Sequence, residues 1–93
     1  MARYVVELFG LPNEITDLRK IEISLKDKPK LVDVISVLRR EIPALEGQVI
    51  RSGENRLVEH CAFNINGHFY SGDHEVQLQE DDQIALLTLA TGG

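Results

Sequence analysis

One stretch of the sequence repeats its apolar residues with a helical period, and this single stripe limits the folds that the chain can adopt. The apolar residues recur at spacings of 3 and 4 along one face, at Leu31, Val34, Ile35, Leu38 and Ile42. Asp27 is the predicted N-cap of this helix, Pro29 fits its first turn, and Pro43 ends it. Because valine and isoleucine are only moderate helix formers, the apolar face of the helix needs a packing partner.

The segments around this helix alternate apolar and polar residues as β-strands do. Strands are predicted over residues 3–9 (RYVVELF), 19–25 (RKIEISL), 61–66 (CAFNIN), 68–70 (HFY) and 83–89 (QIALLTL). Asn66-Gly67 is a strong hairpin signal, because both central residues of a type I′ turn need a positive φ. The acidic residues at 80–82 predict a polar turn, and residues 44–60 are typical of an irregular excursion.

The order of these elements selects one class of fold. The predicted order is strand, strand, helix, strand, short strand, strand. Helices and strands alternate in a doubly wound parallel sheet, and they do not alternate here, so the order predicts an α+β protein. One main helix laid across one face of a mixed four- to five-stranded sheet buries the stripe, and this arrangement is the ubiquitin-like β-grasp. The 93 residues suffice for one core, so we expect a single domain over 1–93, with 90–93 as a flexible C-terminal tail.

The charge balance and the cysteine count exclude several classes of function. The chain has 15 acidic and 10 basic residues, a net charge of -5, which disfavours a nucleic-acid partner. Its single cysteine, Cys61, rules out an internal disulfide and the thiolate set of a plant-type iron–sulfur centre. No apolar run approaches the roughly 20 residues that cross a bilayer, and the first ten residues do not resemble a signal peptide. These features predict a cytoplasmic protein without a membrane partner.

Three motifs give the chain a resemblance to a known family. They are NING at 64–67, LQEDDQIALL at 78–87 and the glycine pair at 92–93. With the order of elements, they resemble the MoaD/ThiS-like small sulfur-carrier proteins, most closely the small subunit of molybdopterin synthase. LFGLPNEI at 8–15 is similar to the first strand and loop of that subunit.

The residues before the glycine pair depart from that subunit. It usually has a proline pair where this chain has Thr88 and Leu89. The ending LLTLATGG is at least as similar to the ubiquitin-related modifier that serves tRNA thiolation. The resemblance therefore supports the class of carriers more firmly than one pathway.

The resemblance implies a carrier protein rather than an enzyme. In similar carriers an E1-like adenylating enzyme of the MoeB/ThiF type uses ATP to activate the C-terminal carboxyl, here that of Gly93, which becomes a thiocarboxylate. The large subunit of molybdopterin synthase, or an equivalent acceptor, takes the sulfur, and the carrier itself binds no cofactor or metal. Gly92 and Gly93 lack Cβ atoms and can pass a narrow channel, and residues 90–93 extended span roughly 13 to 14 Å. The alternatives are a ubiquitin-related modifier joined to lysines, a carrier for tRNA thiolation, and an interaction module without chemistry.

One helix covers one face of a sheet, so the other face is available to a partner. Glu7 is a charged residue within the first strand, so its side chain is expected to face away from the core. Because side chains alternate along a strand, the residues expected to face the helix are Tyr4, Val6, Leu8, Ile84 and Leu86. We expect the outward set to bind the partner: Val5, Phe9, Ala85, Leu87 and Leu89, joined by Phe69 and by Thr91 of the tail. The alternative is that residues 44–60 cover this face and make it part of the core.

Other polar residues are weaker candidates for a site. His60 and Cys61 are adjacent, but neighbouring side chains of a strand point to opposite faces, which disfavours a thiol nucleophile with its base. No zinc-ligand spacing links the possible ligands, which are His60, Cys61, His68 and His74. We expect Cys61 to be buried and the histidines to lie at surface or turn positions. Asp73 and the acids at 80–82 are expected in solvated turns, where they could also meet a basic partner.

Overall fold

The computed structural model describes residues 2–11, 15–70 and 76–88. The elements in them are β1 (Ala2–Phe9), β2 (Lys20–Leu25), α1 (Leu31–Glu41), a 3-10 helix (Pro43–Leu45), β3 (Cys61–Ile65), β4 (His68–Tyr70) and β5 (Ile84–Thr88). The strands form one sheet in the order β2-β1-β5-β3-β4. β1 and β5 are parallel, and the other neighbouring pairs are antiparallel. The predicted α+β fold, a mixed sheet with one main helix on one face, is confirmed.

The strand positions predicted from alternation agree with the structure to within one residue at each described end. The hairpin turn between β3 and β4 is also confirmed, since Asn66 and Gly67 have φ angles of 53° and 93°. The polar turn before β5 closes through a hydrogen bond from the Asp82 N–H to the carbonyl oxygen of Gln79 at 3.0 Å. Local turn chemistry therefore determines where β3, β4 and β5 end or begin.

The predicted start of the helix is wrong. α1 begins at Leu31, and Asp27 is not its N-cap. The chain turns sharply between these positions, because Lys28 has a φ of 53°, in the left-handed region. The Asp33 carboxylate accepts a hydrogen bond from the Lys30 N–H at 2.8 Å and closes the first turn.

A distant segment also pairs with the residues just before α1. The Leu78 N–H donates to the Pro29 carbonyl at 2.8 Å, and the Leu31 N–H donates to the Val76 carbonyl at 3.2 Å. Because these backbone groups pair across the chain, the helix does not extend backward towards Asp27. The helix ends at Glu41, before the proline that was expected to stop it.

The apolar stripe of α1 packs against the inner face of the sheet. The residues of the stripe are all buried: Leu31, Val34, Ile35, Leu38 and Ile42. The predicted inward residues of β1 and β5 are buried as well, at Tyr4, Val6, Leu8, Ile84 and Leu86. Phe63 of β3 is the largest of the fully buried side chains in this core. The core therefore occupies one layer between the helix and the sheet.

The segment 44–60 adds to the same core. Its buried apolar residues are Leu45, Val49, Ile50 and Leu57, and they join the core cluster. The segment closes on itself through the bond from the Val58 N–H to the Val49 carbonyl at 2.8 Å, and Arg39 of α1 lies 3.5 Å from Glu46. It therefore packs on the helix side, and the alternative that it covers the opposite face of the sheet is wrong.

Asn66 ties the hairpin turn to the start of β5. Its Nδ2 donates to Oδ1 of Asp82 at 2.8 Å, and its Oδ1 accepts from the Gln83 N–H at 2.9 Å. The second carboxylate oxygen of Asp82 accepts from the Gln79 N–H at 2.8 Å. These bonds satisfy both oxygens of one carboxylate and set the position at which β5 enters the sheet.

Replacing Asp82 by alanine should lower the free energy of unfolding by about 1–2 kcal/mol, because two hydrogen bonds to one carboxylate are lost at a partly exposed site. Urea unfolding measures this loss. Asp81→Ala is the matched control, since it removes the same charge from an exposed neighbour and should cost less than about 0.5 kcal/mol. Equal losses in the two variants would show that the network does not stabilise the turn.

Candidate functional site

The sheet surface opposite α1 is the candidate site, and we call it the outer face. Its central residues alternate with those of the core: Val5, Glu7 and Phe9 of β1, Ala62 and Asn64 of β3, Phe69 of β4, and Ala85 and Leu87 of β5. The strand register arranges them in rows. Glu7 lies opposite Ala85, Ala85 opposite Asn64, and Asn64 opposite Phe69 at the edge.

The large apolar side chains of the outer face are exposed. Val5, Phe9 and Phe69 expose 43%, 51% and 60% of their surface. Ala85 and Leu87 are half-buried. The predicted outward orientation of these residues is confirmed, and their role in binding stays a prediction. Apolar side chains gathered on one exposed face are typical of a protein interface.

The last part of the predicted site lies outside the described residues. It comprises Leu89, Thr91, Gly92 and Gly93. The partner-binding and chemical roles of these residues, and the expectation of a tail over 90–93, stay predictions. The described chain reaches them through β5, whose neighbours on the outer face are Phe9 and Ala62, one on each side of Leu87.

A hollow lies in the middle of the outer face. Its floor is Ala85, whose methyl group is short, and its rim includes Val5, Phe9 and Phe69. The volume of the hollow is about 640 Å³. The register explains the shape, because a small residue on the central strand β5 lies between larger residues on the neighbouring strands. The face is therefore concave, and a partner must protrude to fill it.

One end of the hollow is acidic. The turn at 80–82, which precedes β5, lines this end, and Glu7 lines the hollow beside Ala85. The pKa of the Tyr4 hydroxyl is raised, first by burial and then by nearby carboxylates, of which those of the acidic turn have the largest effect. Arg3 also lines the hollow, but its guanidinium pairs with Glu22 at 3.2 Å. The potential at this end of the hollow is consequently negative.

The end of β5 is hydrogen-bonded to the residue that follows β1. Thr88 Oγ1 donates a hydrogen bond to the Gly10 carbonyl at 3.0 Å. Gly10 has a φ of 70°, and a Cβ there would lie 2.6 Å from Thr88 Oγ1. This contact fixes the last described residue of β5 against the chain that follows β1. Sequence reasoning missed this contact, because it depends on the parallel register of β1 and β5.

Gly10→Ala should destabilise the fold by about 2 kcal/mol, through a left-handed φ that alanine adopts poorly and through loss of the Thr88 hydrogen bond. Gly53→Ala is the matched control, since Gly53 has a φ of 75° and open space around its missing side chain. The control should cost about 1 kcal/mol, and thermal unfolding measures both. Equal costs would mean that the contact with Thr88 contributes no stability.

The weaker candidates do not assemble into a site. Cys61 lies in the core, burial raises the pKa of its thiol, and the side chain is therefore an unreactive thiol rather than a thiolate. His60 and His68 are exposed, as expected, while Asp73 and His74 lie outside the described residues. Within the described ranges, no group of histidine, cysteine and acidic side chains is arranged to hold a metal ion.

Fold and surface together define a ubiquitin-like β-grasp protein with an exposed apolar sheet face. The ThiS family profile matches residues 6–93. This match spans nearly the whole chain, and the chain belongs to the ThiS family. No curated protein matches it significantly. The predicted kinship with the MoaD/ThiS-like carriers is confirmed at the level of the family.

Three solved structures share the fold of this chain along nearly the whole length of both proteins. SAMP1 from Haloferax volcanii is 22% identical, with a TM-score of 0.81 and coverage of 99% of this chain and 100% of that chain. Small archaeal modifier protein 1 from Methanosarcina acetivorans is 25% identical, with a TM-score of 0.74 and coverage of 100% and 98%. A putative molybdopterin converting factor, subunit 1, from Pyrococcus furiosus is 17% identical, with a TM-score of 0.73 and coverage of 97% and 100%. In the described part of this chain, no helix is both long and apolar enough to cross a membrane.

Proposed function

We propose that this protein is a small sulfur carrier whose Gly93 carboxyl is adenylated and then converted to a thiocarboxylate. The observation that carries the proposal is the exposed apolar outer face, whose residues on β5 come shortly before the glycine pair in the sequence. A partner bound to this face holds β5 and thereby receives the residues that come after it. Membership of the ThiS family supports the same role.

The chemistry requires activation of a carboxylate, which is a poor acyl donor because its leaving group would be an oxide. The carboxylate oxygen attacks the α-phosphate of ATP, releases pyrophosphate and forms an acyl adenylate. A sulfide equivalent from a donor then displaces AMP and leaves a thiocarboxylate. The enzyme must enclose the adenylate to exclude water, and Gly92 and Gly93 can enter such a channel because they have no Cβ atoms.

In this proposal the chain is a carrier and its partners are the enzymes. An E1-like adenylating enzyme consumes the ATP, and the large subunit of molybdopterin synthase or an equivalent acceptor receives the sulfur. The chain itself holds no cofactor. The partner surface is the apolar set Val5, Phe9, Phe69, Ala85 and Leu87, continued by Leu89 and Thr91.

Molybdopterin synthesis is the pathway that we assign to the carrier. The motifs at 64–67 and 78–87 support it, as does the similarity in fold to the putative molybdopterin converting factor subunit. A protein modifier is the second candidate, favoured by the similarity to the small archaeal modifier proteins. In that role the activated carboxyl of Gly93 forms an isopeptide bond with a lysine amine of a target, and AMP is again the leaving group.

Mass spectrometry of the protein taken from its own cells tests the proposal. Exchange of one oxygen for sulfur at Gly93 is the expected result. An isopeptide-linked glycine remnant on lysines of other proteins, without the sulfur form, supports the modifier instead. A terminus that is never activated, either in cells or with ATP and the adenylating enzyme, contradicts both. Reconstitution with the large synthase subunit and a sulfur-free pterin precursor then tests the pathway.

A further inference from the structure

The hollow of the outer face is large enough to receive a long side chain of a partner. Ala85 forms its floor, and Leu87 continues that floor along β5. Val5 and Phe69 line it on either side. A volume of about 640 Å³ lies within the range of sites that bind small organic groups. A flat apolar partner would leave this space empty, so a close-fitting partner must place a side chain in it.

The charges around the hollow select the kind of side chain. Glu7, Glu80 and Asp81 line it, and in residues 2–11, 15–70 and 76–88 none of the three forms an ion pair. Asp82 is different, because both of its carboxylate oxygens accept hydrogen bonds within the fold. The three remaining carboxylates favour a cation, whereas the apolar floor favours a hydrocarbon stem. Only a long basic side chain combines the two.

Arginine fits this lining better than lysine. Its guanidinium is planar and weakly hydrated, and its five N–H donors can pair with more than one carboxylate at the same time. Lysine would bring one compact, strongly hydrated charge and no planar surface.

We propose that the hollow receives an arginine side chain of the protein that binds the outer face, with its stem on Ala85 and Leu87 and its guanidinium against Glu7, Glu80 and Asp81. The assignment of this partner as the adenylating enzyme rests on the proposed function. The occupant is therefore a partner surface with one protruding arginine among apolar side chains. Charge pairing of this kind orients the partner and accelerates its association.

A small-molecule titration tests the hollow without any partner protein. N-acetyl-arginine methylamide is added to isotope-labelled protein, and amide chemical shifts are followed by NMR; N-acetyl-citrulline methylamide is the neutral isostere. The arginine probe should give saturable shifts at Glu7, Asp81 and Ala85, and the citrulline probe should bind at least about fivefold more weakly. Ala85→Leu fills the floor and should abolish the shifts, whereas Ala44→Leu, at an exposed position on the helix side, should not. Equal binding of the two probes, or shifts elsewhere only, overturns the proposal.

A binding measurement with the adenylating enzyme tests the same contact in the complex. The triple variant Glu7→Gln, Glu80→Gln, Asp81→Asn should bind about tenfold more weakly than the wild type and lose much of the salt dependence of binding. The control triple Glu41→Gln, Glu54→Gln, Glu59→Gln removes the same charge from exposed positions off the outer face. If the two triple variants bind the enzyme with equal affinity and are still adenylated, the arginine contact is contradicted but the proposed function is not. If the enzyme neither binds nor adenylates the wild-type protein, the proposed function is contradicted. The titration with the arginine probe then tests by itself whether the hollow binds an arginine side chain.

Discussion

Deletion of Gly93 should abolish adenylation of the protein. The deletion moves the terminal carboxyl back by about 3.5 Å along an extended chain, so the nucleophilic oxygen no longer reaches the α-phosphate of ATP in the enzyme. A displacement of about 1 Å can cost a hundredfold in rate, and we therefore expect a loss of at least about a thousandfold. Exchange of labelled pyrophosphate into ATP, catalysed by the adenylating enzyme, measures the reaction.

The deleted protein provides its own control for folding and binding. Its outer face is unchanged, so it should compete with the wild-type protein for the adenylating enzyme and inhibit wild-type exchange. An intact urea-unfolding curve would confirm that the core is unaffected. If the deletion variant supported exchange at the wild-type rate, the proposed carrier chemistry would be wrong.

Leu87→Glu should weaken binding to the adenylating enzyme by about a hundredfold. Leu87 lies between Phe9 and Ala62 in the strand register, at the centre of the row nearest the end of β5. A carboxylate there is hydrated in the free protein but must lose its water when a partner covers the face. Isothermal titration calorimetry measures the affinity. The fold should survive with a loss below about 1.5 kcal/mol, because the side chain is only half-buried.

Val32→Glu is the matched control for the change in residue type and charge. Val32 is also half-buried, but it lies in α1, on the other side of the sheet. An acidic residue is favourable there because Val32 is in the first turn of the helix. This variant should bind the enzyme as tightly as the wild-type protein. Unchanged affinity for Leu87→Glu would remove the outer face from the binding surface, and equal weakening by both substitutions would point to net charge rather than to the face.

The sheet and its two faces were predictable because their signals are local. Glu7 marks the outward parity of β1, and the Asn66-Gly67 pair encodes its own turn through two positive φ angles. Burial of alternate residues then follows from the pleat of each strand. The orientation of Val5, Phe9 and Leu87 could therefore be predicted without knowledge of the tertiary structure.

The start of the helix could not be predicted in the same way. The residues between Asp27 and Leu31 contain a good N-cap and a proline, which together favour an earlier start. Their backbone groups are instead bonded to residues 76–78, which lie more than forty positions away in the chain. Pairing between distant segments overrides local propensity here, and a single sequence contains no direct record of it.

The hollow and the Gly10–Thr88 contact were missed for a related reason. Each depends on which residues of separate strands lie side by side, and the alternation of a strand specifies its faces but not its neighbours. Ala85 becomes the floor of a hollow only because β1 and β3 flank β5. The sequence signal that was available was a small residue in the middle of an otherwise bulky last strand.

β5 has a hydrogen-bonded neighbour on each side, parallel β1 and antiparallel β3. In the proposed carrier role, an enzyme that pulls on the end of the chain applies tension to a strand held by hydrogen bonds on both sides. Because ladder hydrogen bonds run across the strand, such tension shears many of them together instead of opening them one at a time. The domain should therefore resist tension applied at its end, which suits the proposed role as a carrier.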